Sequence, residues 1–180
     1  LGTWSMHYIR MLAFSLPVPV EYDWPTVLAS LLAAVAASGA ALYVVTRPRM
    51  GLANSALGSV FMGAGIATMH YVGMAAMRLA GMCHYSAPIV ALSVLLAVVI
   101  SFVGLWLLFH TREETKAGVW RKAINAAVMG AAIPVMHFTG MAASTFTADT
   151  EVPDLSHAVS VDTLGIEAVT SITFMVLGLT

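Results

Sequence analysis

Four stretches of this chain, residues 24–46, 53–80, 88–109 and 123–146, are long and apolar, and Arg78 is the only charged side chain in them. No other feature restricts the fold more. Coiled as an α-helix at about 1.5 Å per residue, each stretch can cross the roughly 30 Å hydrocarbon core of a bilayer. In that solvent every backbone N–H and C=O must be paired internally, which leaves helices as the use for such runs. Charged residues make up 9% of the 180, where soluble domains carry about a quarter. A water-soluble core of this size could not absorb so much apolar surface. The expected fold class is therefore all-α, a polytopic transmembrane helical bundle.

Two further segments flank the four. Residues 1–14 read as the end of a membrane helix, and 163–180 as the start of another, so six segments are visible and the first and last are truncated. The chain opens inside a repeat copy and closes inside an apolar run. We expect a piece of a longer protein, with a helix in front and domains behind, and a parent of seven spans. The connections read as loops: 15–23 with Pro17, Pro19, Glu21 and Asp23; a tight 81–87; a charged 110–122; and an acidic 147–162. Trp24 and Tyr43 sit near the ends of one span, as interfacial aromatics do, and Pro25 suits its first turn.

Within these runs one phrase recurs: Met-His-aromatic-x-x-Met. It reads Met6-His7-Tyr8-Ile9-Arg10-Met11, then Met69-His70-Tyr71-Val72-Gly73-Met74, then Met136-His137-Phe138-Thr139-Gly140-Met141. The histidines are 63 and 67 residues apart, and aligning His7 with His70 also aligns Tyr22 with Tyr85 and Pro25 with Pro88. The repeat is therefore a two-helix unit, covering about 1–52, 53–122 and 123–180. Two helices per unit make every motif helix run the same way, with the motifs at one end of the bundle. His70 lies eight residues before Arg78, roughly 12 Å inside that end.

Orientation follows from Lys and Arg. Arg47, Arg49, Arg112, Lys116, Arg121 and Lys122 fall on the side opposite the motifs, whereas the motif-side loops carry acids; Arg10 and Arg78 lie near the helix ends there. By the positive-inside rule the motif end faces the extracytoplasmic side of the membrane. A net charge of −1 gives no reason to expect a nucleic-acid partner, and the single Cys83 forms no internal disulfide.

A histidine inside a membrane helix is costly and faces a partner or a cavity. His7 with Met11, His70 with Met74 and His137 with Met141 are each four apart, one turn along one face. Imidazole with thioether is a soft-to-borderline donor set that suits copper, Cu(I) above all, and suits calcium or magnesium poorly. The candidate metal ligands are thus His7, His70, His137, Met11, Met74, Met141, Met6, Met69 and Met136, with Met62 and Met129 extending the stripe. Haem held by two facing histidines is the alternative. A plainer account stands beside both: Met fills gaps in cores, and a buried His bonds to a neighbouring helix. Gly63, Gly73, Gly130 and Gly140 let helices approach closely whether or not a metal binds.

The remaining candidates are weaker. His84 and Cys83, next to Met82 in a motif-side loop, and His157 in the acidic loop are extra ligands or simply solvated side chains. His110 suits a helix C-terminus. Glu167 is the one acid inside an expected helix, as an ion handle or an interfacial residue. No catalytic constellation is present: no Ser-His-Asp order, no phosphate-cradling glycine loop and no carboxylate pair within a span. The chain is not read as an enzyme, although a longer parent with an output domain would be.

At these three motifs the sequence resembles the MHYT family of bacterial integral-membrane sensor domains, over essentially its whole length. The resemblance implies a domain of six or seven spans in the inner membrane, with motifs near the outer face. It implies a copper site on the nine motif histidines and methionines, serving to sense oxygen, carbon monoxide or nitric oxide. It also implies a cytoplasmic output domain, such as one that makes or degrades cyclic di-GMP or a histidine kinase. Two departures matter. Arg10 replaces the glycine of the first copy, where a cation opposes a metal or snorkels outward. Pro134, three residues before His137, should kink its helix. The expected function is a membrane-embedded sensory input domain, with the bilayer, a diatomic gas and an output domain as partners and a homodimer as a compatible state. The rival is a copper channel or transporter, which should string ligands along the whole membrane depth.

Overall fold

A computed structural model describes residues 2–14, 18–46, 51–112, 118–148, 154–160 and 170–178. Its elements run in the order α1 (Gly2–Ala13), β1 (Glu21–Asp23), α2 (Trp24–Val45), α3 (Leu52–Ala75), β2 (Met77–Arg78), β3 (Gly81–Tyr85), α4 (Ala87–Arg112), α5 (Val119–Ala142), β4 (Ser144–Ala148), β5 (Ala158–Ser160) and α6 (Thr170–Gly178). Among the described residues, four helices are long and apolar enough to cross a membrane: Trp24–Val44, Leu52–Ala75, Ala87–Leu108 and Val119–Ala142. The helical membrane bundle expected from the sequence is what forms. Arg47, Arg49, Lys116, Glu167, Asp149, Glu151 and Asp162, and the side chains of His110 and Arg112, lie outside the described residues.

Contacts divide the chain into two compact units. The first comprises Leu1–Val35, Thr68–Ser86 and Ser144–Thr180. It holds α1, the start of α2, the end of α3, all five strands and α6, which lies against α1. Three strands form one sheet in the order β2-β1-β5, with Glu21 opposite both Arg78 and Ser160. The other two pair antiparallel from Gly81↔Ala148 to Tyr85↔Ser144. The connections read as loops are therefore partly strands, and α3 and α5 end short of the expected 80 and 146. The residues beyond them enter strands: Arg78 turns back to donate from Nη1 to the carbonyl of Ala75 (3.2 Å), and Ser-Thr-Phe-Thr-Ala is β-favouring sequence.

The start of α2 accounts for its own backbone donors. Asp23 is the N-cap: its Oδ2 accepts from the Thr26 amide (3.1 Å) and the Thr26 hydroxyl. The Trp24 amide donates to the His157 carbonyl (3.1 Å), and Pro25 has no amide to satisfy. Asp23 Oδ1 also meets Arg78 Nη2 at 3.4 Å, and its amide donates to the Ala76 carbonyl at 2.8 Å. One residue thus ties the start of α2 to the end of α3. Hydrogen bonding from Thr26, reinforced by Arg78 and His157, holds the Asp23 carboxyl below the usual carboxylate range.

The second unit comprises Ala36–Ala67 and Ala87–Ala143, with α4 packed on α5. Its glycines mark close approaches. A Cβ on Gly63 would lie 2.7 Å from the backbone of Val98, and one on Gly104 would collide with the Met129 sulfur. Met129 therefore packs its thioether against α4 at Gly104. Gly130 has nothing within 4 Å of an added Cβ, so close approach does not explain it. Helix α5 is continuous through Pro134.

Candidate functional site

The first and second motifs meet in the first unit. His7 on α1 and His70 on α3 face each other with Nδ1 to Nδ1 at 3.2 Å, their rings edge-on at 5.0 Å between centroids. Both are 1% exposed, so neither charge nor hydrogen bond is shared with bulk solvent. At this separation one Nδ1–H can donate to the other nitrogen, or both nitrogens can bind one ion. Two nitrogens on a tetrahedral ion, with bonds of 2.0–2.1 Å, sit about 3.3 Å apart. The donor pair therefore fits a small ion as well as a shared proton.

Three features place His7. Trp4 and Tyr8, flanking it on α1, both reach Ser30 on α2: the indole N–H donates to Ser30 Oγ at 3.0 Å and the phenol lies 3.2 Å from it. Ser30 in turn donates to the Val27 carbonyl at 2.7 Å. Tyr8 rests edge-on against Tyr22, the buried residue of β1, at 5.9 Å. Burial, with Tyr8 beside it, pushes the Tyr22 phenol above its ordinary range. Finally, a Cβ on Gly73 would lie 2.5 Å from His7 Nε2, so the imidazole sits where a side chain would otherwise be. His70 is flanked by Tyr71, whose ring meets Tyr85 of β3 edge-on at 5.7 Å.

His137 lies on α5 in the second unit and is buried. It stands five residues before the end of its helix at Ala142, as His70 stands five before Ala75. Met11, Met69, Met74 and Met136 are buried, and Met6 and Met141 are half-buried. The aromatic position is not equivalent across copies: Tyr8 is buried and Phe138 is 60% exposed.

The weaker candidates sit elsewhere in the first unit. Cys83 and His84 are consecutive in β3 and so point to opposite faces, which prevents them from acting as a local pair. His157 packs edge-on against Trp24 at 6.2 Å, beside Asp23, where its carbonyl serves the start of α2. Trp4, Ser30, Tyr22 and the seat at Gly73 were not singled out as site residues from sequence. Only the recurrence of glycine three residues after His70 and His137 pointed to the last.

The family model described as a bacterial signalling protein N-terminal repeat, MHYT, matches residues 1–58, 63–119 and 130–180. Among curated relatives, the bifunctional diguanylate cyclase/cyclic di-GMP phosphodiesterase MucR of Pseudomonas aeruginosa is 46% identical over 81% of this chain and 21% of its own length. The cyclic di-GMP phosphodiesterase NbdA of the same organism is 43% identical over 79% of the chain and 18% of its own length. The signaling protein YkoW of Bacillus subtilis is 36% identical over 84% of the chain and 19% of its own length. The chain thus spans about a fifth of these relatives. No solved structure matches.

Proposed function

The chain belongs to the MHYT family of bacterial signalling repeats, and from that premise we propose that it is a sensory input domain holding a copper ion among its motif residues. It is a multi-pass membrane protein of a signalling family. The observation that carries the copper reading is the buried His7–His70 contact at 3.2 Å, in a layer rich in buried thioethers. By the repetition of the motif, His137 on α5 is the third imidazole donor in this reading, and Met11, Met74 and Met141 supply sulfur, with Met6, Met69 and Met136 as neighbours. Softness of the set favours Cu(I). Haem held by two of the histidines is the alternative reading, with the same residues as ligands. The 3.2 Å contact fits two nitrogens on one small ion, which is why copper is put first.

Bound copper would supply a redox-active centre with affinity for a diatomic gas; oxygen, carbon monoxide, nitric oxide or the ion's own redox state is the signal we assign. Trp4, Tyr8 and Tyr22 are themselves buried and would shield the bound ion from bulk water. The message would pass to an output domain in the cytoplasm, and the relatives' cyclic di-GMP enzymes suggest its class. Ligands at one register of the motif helices favour a held ion over transport.

The test is the copper and haem content of the detergent-purified domain, expressed with copper, beside a His70→Ala variant. Near-stoichiometric copper in the wild type and its loss in the variant are expected. A Soret band would replace copper with haem. Neither metal nor haem would return the three histidines to a packing role.

A further inference from the structure

Gly73 lies one turn beyond His70 on α3, so the two residues share a helix face. His7 touches that face at both points. Its Nδ1 meets His70 at 3.2 Å, and its far edge lies over Gly73, where an added Cβ would stand 2.5 Å from Nε2, 2.9 Å from Cδ2 and 3.5 Å from Cε1. Real Cβ atoms essentially never come within 3.0 Å of a neighbour, so a methyl group and the imidazole cannot both occupy this place. The ring cannot retreat freely, because Trp4 and Tyr8 on the same helix are fastened to Ser30.

We propose that Gly73 is a positioning residue for the ion site: it is the seat of the His7 imidazole, and it sets the approach of His7 to His70. This inference rests on the copper reading for its effect on binding, but not for the seat itself. It explains the motif glycine by a ring rather than by a neighbouring helix backbone, which is the case at Gly63. It also explains why the first copy can carry Arg10 at the matching place. A seat is needed only on a helix that receives an imidazole, and α1 is the helix that delivers one.

The experiment uses the whole domain in detergent, with Gly73→Ala, His7→Ala, the double variant and Gly130→Ala as a control in open space. Thermal unfolding of metal-free protein is read first. Gly73→Ala should lower the midpoint, and at least half of that loss should vanish in the His7→Ala background. An equal loss in both backgrounds would overturn the seat. If Gly73→Ala alone does not fold, recovery of folded double variant supports the seat, and failure to recover overturns it. Cu(I) affinity is read second, by competition with a chromophoric Cu(I) chelator. Gly73→Ala, with all three histidines present, should bind at least tenfold more weakly, and Gly130→Ala as wild type. Unchanged affinity in folded Gly73→Ala overturns the positioning role. A wild type that binds no Cu(I) overturns the ion role together with the copper reading, while the thermal coupling still decides the seat.

Discussion

The hydroxyl of Ser30 meets three partners at once, and its chemistry is then full. It has one hydrogen, given to the Val27 carbonyl, and two lone pairs, facing the Trp4 indole N–H and the Tyr8 phenol. Ser30 is 0% exposed, so no solvent can replace it. Ser30→Ala leaves two buried donors without an acceptor, and each such group costs about 1–3 kcal/mol. The expected loss is about 2 kcal/mol or more, measured as reversible unfolding of the domain in detergent. Ser59→Ala is the comparison. That hydroxyl only returns to the Ala56 carbonyl of its own helix, so its removal should cost less than about 1 kcal/mol. Equal losses would show that Ser30 does not fasten α1 to α2.

At the scale of elements, Asp23 fastens β1, the start of α2 and the end of α3. Its pKa is lower in the folded protein than in the unfolded chain, first through the Thr26 hydroxyl and then through the Thr26 amide, Arg78 and His157. The carboxylate form therefore favours folding above the ordinary carboxylate pKa, near pH 4, and this contribution fades as pH falls through the lowered folded value. Asp23→Ala should lower stability near neutrality by about 1 kcal/mol, the usual worth of an N-cap, and should flatten the acid limb of an unfolding-versus-pH profile. An unchanged acid limb would remove Asp23 from the account. Sequence gave little warning of this clasp. The spans were legible because apolar runs must be helices in a bilayer, and the histidines because imidazole is costly there. Strands as short as Met77–Arg78 show no alternation to detect, and their pairing with Glu21–Asp23 joins residues far apart in the chain. The same limit hid Ser30 and the seat at Gly73. Each owes its role to a partner on another helix, and periodicity along one helix cannot name that partner.

For the molecule as a whole, the compartment that the motif ends face decides what can reach the histidines. A diatomic gas crosses hydrocarbon and could arrive from either side, but a copper ion does not; on the proposed copper reading, the ion's source would be the side where the motif helices end. Helices α3 and α5 both run out into strands, and Cys83, the chain's single cysteine, sits half-exposed on β3 in that strand layer. Arg121 and Lys122 are exposed at the opposite end of α5, where the positive-inside rule expects cytoplasm. A membrane-impermeant maleimide should therefore label Cys83 in cells whose inner membrane is intact. In a Cys83→Ser background, Arg121→Cys should stay unlabelled until that membrane is opened. The reverse pattern would turn the domain over and, on the proposed copper reading, make the cytoplasm the source of the ion. Labelling as expected would place the strand layer on the extracytoplasmic side and, on the proposed copper reading, make supply from that side the condition for loading the His7–His70 pair.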